Sequence, residues 1–115
     1  MKKILFYETT KGIKPVQEFL DSLSDKHVKK IVWVLRLTRD LDFIPKEYLK
    51  KLVNTNDIWE IRTQSGNNIF RILCFFDKGN FIVLTNGFAK KIQKTPKNEI
   101  DLAEKRKQEY LIRSK

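Results

Sequence analysis

Hydrophobic positions recur with a helical period in the first third of this chain and with a strand period in the stretch that follows its middle. Ile4, Leu5, Phe6 and Tyr7 give residues 2–7 the make-up of a short strand. Val16, Phe19, Leu20 and Leu23 then fall at i, i+3, i+4 and i+7 behind Pro15, which suits a first helical position and predicts a two-turn helix. Lys14 is a poor N-cap, so this helix must lean on packing. Ser24 or Asp25 can cap a second helix running to about Asp40. Val28, Ile31, Val32 and Leu35 form its main stripe, with Trp33, Leu37 and Leu41 on nearly the opposite side. A helix apolar on two faces is either sandwiched or offers a surface to a partner, and Trp33 reads equally as core or as that surface. The tight Ser-Asp corner makes the pair an αα-hairpin.

Residues 42–57 are a mixed connection in which Pro45 can start a helical turn and Asn54-Thr55-Asn56-Asp57 is turn chemistry. Then the period changes to two. Ile58–Gln64, Ile69–Asp77 and Phe81–Asn86 read as strands, separated by Ser65-Gly66-Asn67-Asn68 and Lys78-Gly79-Asn80, which predicts an antiparallel meander. Alternation sets Glu60 and Arg62 on one face of the first strand, and Ile69, Arg71, Leu73 and Phe75 on one face of the second. A last helix is expected from Pro96 to about Ile112, with Thr95 as N-cap. Its apolar positions (Ile100, Ala103, Tyr110, Leu111) are sparse, and Lys105, Arg106, Lys107, Arg113 and Lys115 make its far end basic. The fold class expected is α+β: an N-terminal strand, a helical hairpin, an antiparallel sheet and a C-terminal helix, in one domain over residues 1–115.

Composition adds exclusions. No apolar run approaches the roughly 20 residues that span a bilayer. The start superficially resembles a signal peptide, but its apolar part meets Glu8 too soon to serve as one, so a cytoplasmic protein is expected. The single cysteine, Cys74, excludes an internal disulfide and a multi-cysteine zinc site, and the single histidine makes His-based metal chemistry improbable. No metal or cofactor is expected. His27, beside Lys26, Lys29 and Lys30, reads as a surface residue.

The net charge of +10 changes the picture most, because residues 86–115 carry half of it. Such asymmetry points to a polyanion, most plausibly nucleic acid, with an acidic protein or a membrane surface as alternatives. Lys90, Lys91, Lys94 and Lys97 fall within eight residues, between a predicted strand and a predicted helix N-terminus. Ammonium groups and free helix N–H donors converging there would hold phosphate; the plainer reading is a solvated basic loop. Arg71 interrupts the apolar run Ile69-Phe70-Arg71-Ile72-Leu73, and a guanidinium there needs a carboxylate, a rim position or a ligand. Glu60 is the obvious structural partner.

Four segments, taken in order, resemble a known family: Pro15-Val16-Gln17-Glu18-Phe19-Leu20, Ile58-Trp59-Glu60-Ile61-Arg62, Phe70-Arg71-Ile72-Leu73, and Gly87-Phe88-Ala89-Lys90-Lys91-Ile92-Gln93-Lys94-Thr95-Pro96. Together they resemble the phage-derived HigB-like branch of the RelE/ParE toxin superfamily, found in bacterial type II toxin–antitoxin modules. The slot after Lys91 is commonly Thr or Ser in that branch and is Ile92 here, which removes a hydroxyl but no lysine. The resemblance implies a RelE-like fold and an mRNA interferase, an endoribonuclease that cuts messenger RNA on the ribosome without a metal. It also implies a small antitoxin, a helix-turn-helix protein, as partner. By that analogy Arg62, Arg71, Lys90 and Lys91 line the cleavage site, and Lys94, Lys97 and Phe88 contact the RNA. Two other readings share the basic character. One is a ParE-like inhibitor of DNA gyrase without nuclease activity, and the other a non-toxic basic nucleic-acid-binding module.

Overall fold

A computed structural model describes residues 2–91 and 94–114 of the chain. The departure at Ile92, its neighbour Gln93 and the terminal Lys115 lie outside the described residues. β1 (Lys3–Phe6) leads to α1 (Pro15–Asp21) and α2 (Asp25–Asp40); β2 (Leu49–Lys51), β3 (Trp59–Ser65), β4 (Asn68–Asp77) and β5 (Phe81–Lys90) follow, and α3 (Lys97–Arg113) ends the chain. The strands form one sheet in the order β1-β5-β4-β3-β2. β2 to β5 run antiparallel to their neighbours, but β1 pairs with β5 in parallel, from Lys3 opposite Phe81 to Phe6 opposite Leu84. The sheet is therefore mixed, not purely antiparallel as expected. The helical hairpin that separates β1 from the meander carries the chain across, so the first strand can return in parallel.

Each face of the sheet buries its own core. The hairpin packs Val16, Leu20, Ile31, Val34 and Leu35 against Ile61, Ile72, Cys74, Ile82 and Leu84. On the opposite face α3 supplies Ala103 to a cluster of Tyr7, Ile58, Leu73, Phe75 and Val83. The stripe of α2 is thus centred one position away from the reading by period, with Val34 at its heart and Val32 only half-buried. Trp33 is 44% exposed, set edge-on to Tyr48 with the Lys30 ammonium 4.5 Å from its ring centroid. His27 is not a free surface residue. It packs on Phe70 and bonds through Nδ1 to the Ser65 hydroxyl at 2.9 Å, tying α2 to the β3–β4 turn.

β5 runs four residues further than predicted, and a bulge explains why this matters. Leu73 pairs with Asn86 but Cys74 with Leu84, so Thr85 is the extra residue of β5. The extra residue shifts the alternation: Leu84 faces the hairpin, whereas Asn86, Phe88 and Lys90 face the α3 side. Beyond the bulge, Gly87 faces α1. A Cβ there would meet the Phe19 ring at 2.5 Å, so glycine is what lets the helix sit down. Gly87→Ala is expected to cost about 1–3 kcal/mol through overpacking, and Phe19→Ala to remove most of that penalty. Urea unfolding of the two single variants and the double variant checks the pair; additive effects would contradict it.

Candidate functional site

On the α3 face, the β2, β3, β4 and β5 ends that α3 leaves uncovered carry charge. Lys50 of β2 lies directly opposite Glu60 of β3, and Arg62 of β3 directly opposite Arg71 of β4. Arg71 in turn pairs with Phe88 of β5, and Ile69 with Lys90. Two arginines side by side across a ladder repel each other and persist only with an anion between them. Glu60 is that anion. Its side chain is 2% exposed, and its Oε1 lies 3.4 Å from the Nε of both Arg62 and Arg71. At that distance the contacts are ion pairs and not hydrogen bonds; both Nε–H groups are buried without an acceptor. The other oxygen, Oε2, accepts from the Thr95 hydroxyl. Glu60 is therefore engaged on both sides, and it ties the segment before α3 to the sheet.

The cluster has a surplus of positive charge that Glu60 does not cancel. Lys50, Arg62, Arg71 and Lys90 surround the one carboxylate. Burial lowers the pKa of Lys90 below the usual lysine range; Glu60 opposes this, and Arg71, Arg62 and Lys50 add to it. The Arg71 guanidinium is also pushed down, chiefly by burial, yet stays protonated in any ordinary buffer. Arg71 donates through Nη1 to the Phe70 carbonyl at 3.0 Å, and its Nη2 has no bond among the described residues. The arrangement can grip an oxyanion and hold a weakly basic amine beside it.

A cleft of about 620 Å³ opens onto this cluster between the sheet and α3. Lys50, Glu60, Arg62, Lys90, Lys94 and Thr95 line one part of it. Arg71 lies next door, in a smaller depression that shares Arg62 with the main cleft.

Of the residues singled out from sequence, the fold brings Arg62, Arg71 and Lys90 into one constellation. Lys94 and Lys97 sit along the cleft; Lys97 is exposed and pairs with Asp101 one helical turn on, at 3.1 Å. Lys91 is exposed and outside the cleft's lining. Phe88 packs against the second core and is only half-buried. The pairing of Arg71 with Glu60 holds, but as one arm of a larger bridge. Lys90 is the last residue of β5 instead of the first of a loop, so the four lysines do not share one connection. Thr95 does not cap α3: Pro96 takes the N-cap position without a side-chain bond, because the threonine hydroxyl is committed to Glu60. Lys50 was missed. It sits on a three-residue strand too short to alternate visibly, and only its pairing partner marks it.

A model of the family described as "Phage derived protein Gp49-like" matches residues 18–108, from α1 through most of α3 and including every residue of the cluster. The alpha subunit of ATP synthase from Petrotoga mobilis is 31% identical over 84 residues, which is 73% of this chain and 16% of that protein. The chain spans less than a fifth of that relative's length, too small a share to place it in the same family.

Proposed function

This chain belongs to the phage-derived Gp49-like family, part of the RelE/HigB-like toxin superfamily, and from that premise we propose that it is a toxin of the HigB-like branch that cleaves messenger RNA. The α+β architecture, with a mixed five-stranded sheet and three helices, is compatible with a RelE-like fold. The observation that carries the reading is the constellation of Arg62, Arg71, Lys90 and Lys50 around the buried Glu60, open to a cleft of nucleotide size. Guanidinium groups beside an amine of lowered pKa are the groups that phosphodiester cleavage by the ribose 2′-hydroxyl uses. Induced expression without the neighbouring gene tests it: loss of full-length mRNA supports cleavage. DNA damage and filamentation with intact mRNA would select the gyrase-inhibitor reading instead, and unimpaired growth would reject a toxin altogether.

The toxin reading implies an antitoxin, and the surface suits one of acidic, apolar-faced character. Trp33 is 44% exposed, Leu41 40% and Phe43 86%, on a chain of net charge +10. Co-expressed with the small protein encoded beside it, the chain is expected to elute as one complex, with an association rate that falls as salt rises. Separate elution at moderate ionic strength would exclude a stable complex. No helix among the described residues is long and apolar enough to cross a membrane.

A further inference from the structure

Past the cationic cluster the cleft changes character. Its far part runs between the β2–β3 loop and the first turns of α3, with Leu52 and Val53 on one side and Ile100 on the other. Val53 is 81% exposed, an apolar side chain at the cleft that no core contact accounts for. The loop that carries it is held rigidly. Asn54 and Asp57 take φ values of 58° and 57°, the left-handed turn conformation that Asn and Asp tolerate best among residues with a side chain. Contacts from α3 then pin the turn: the Lys107 ammonium donates to the Asn56 carbonyl at 2.6 Å, and Glu104 Oε1 accepts from the Asn56 N–H at 2.9 Å. The Thr55 hydroxyl donates to the Leu52 carbonyl at 2.9 Å and accepts from the Ile58 N–H at 3.2 Å. Lys107, the one buried lysine of α3, is spent on this tie. Two walls with aliphatic faces are thus fixed at a set separation beside a phosphate grip.

We propose that this slot is a nucleobase subsite that selects bases carrying an exocyclic amino group over uracil. The proposal rests on the RNA-cleavage reading and deepens it. A base is flat with apolar faces and a polar edge, and a nucleotide whose phosphate meets Arg62 and Lys90 has its base within reach of the adjoining slot. Among the polar residues of this part (Asn54, Thr55, Asp101 and Glu104), Glu104 is the carboxylate with no ion pair among the described residues. One of its oxygens is taken by Asn56, and the other has no partner among the described residues. An ionised carboxylate accepts and cannot donate. Adenine, cytosine and guanine offer it an amino group, whereas uracil offers carbonyl oxygens on either side of one N–H and would set oxygen against oxygen. Asp101, the other carboxylate of the lining, is neutralised in part by Lys97 on its Oδ2 and, being acceptor-only as well, would favour the same bases.

The test uses uncleavable 2′-O-methyl pentamers, uridine throughout except for a varied central base. The wild-type chain is expected to bind the adenine, cytosine and guanine pentamers about tenfold more tightly than all-uridine. In Glu104→Gln the amide oxygen keeps the bond from Asn56, so the amino group turns into the slot and the preference shifts toward uridine. Val53→Ser, far from either core, weakens all four pentamers alike. Equal binding of the four by the wild-type chain, or a preference unchanged by Glu104→Gln, overturns the subsite. Equal binding with loss of cellular mRNA overturns the subsite and leaves the ribonuclease reading standing; selective binding with intact mRNA does the reverse.

Discussion

Glu60→Ala is expected to destabilise the protein by about 3–5 kcal/mol, the cost of breaking a buried ion pair from one side. That is a large part of the roughly 5–15 kcal/mol that holds a domain of this kind together. The reason is the geometry around its Oε1. Arg71, its side chain only 10% exposed, would keep its charge with Arg62 directly opposite and Lys90 close by, and no anion among them. Arg62 is more exposed and water would screen it in part, so the stranded group is Arg71. The converse change is milder. In Arg71→Ala, Glu60 keeps Arg62 and the Thr95 hydroxyl, so the carboxylate is not orphaned and the variant is expected to fold. Replacing Glu60 and Arg71 together with apolar residues should recover much of what Glu60→Ala loses. Urea unfolding of the three variants measures this directly. If Arg71→Ala proves as damaging as Glu60→Ala, the bridge is not organised around the carboxylate.

The same bridge shows what a sequence can and cannot display. Local patterns were readable. The apolar period of α1, the Gly and Asn turns of the meander and the break that Arg71 makes in β4 all depend on neighbours in the chain. Glu60 and Arg71 were legible as partners because adjacent strands of a hairpin pair in a register that the turn sets. What failed was non-local. Thr95 has the right chemistry for an N-cap, but its hydroxyl meets a carboxylate 35 residues away, and no local rule anticipates that. β5 ended early in the reading because Asn86 and Gly87 look like a stop; the bulge at Thr85 and the Phe19 ring against Gly87 keep it a strand. That miss moved Lys90 from loop to sheet, and with it the centre of the candidate site. Lys50 is one basic residue among many until β2 sets it across from Glu60.

Cleavage by this chain is expected to proceed with EDTA present and to leave a 2′,3′-cyclic phosphate or a 3′-phosphate, never a 3′-hydroxyl. In the proposed reaction the nucleophile is the ribose 2′-hydroxyl, which forms a bond to the adjacent phosphorus as the bond to O5′ breaks. The proton leaves the 2′-oxygen for an amine, and O5′ takes one from a neighbouring ammonium. The positive charge this needs would come from Lys50, Arg62 and Arg71, gathered at the same end of the sheet as Lys90. Lys90 is the amine best suited to accept the proton, because burial lowers its pKa and so raises the fraction of free base at any given pH. The sign follows: the rate should rise with pH while Lys90 is mostly protonated, and level off at a pH below that of an ordinary lysine. Lys90→Arg keeps the charge but cannot give up its proton, so it should bind RNA and lose about a hundredfold in rate along with the rising limb. Arg71→Ala, folded by the argument above, should lose about as much through the transition state. Lys97→Ala, at an exposed residue on the rim, should weaken binding and lower its salt dependence while leaving the rate at saturation nearly unchanged. A Lys90→Arg variant that cuts at the wild-type rate would remove Lys90 as the base, and products ending in a 3′-hydroxyl would rule out the 2′-hydroxyl as nucleophile.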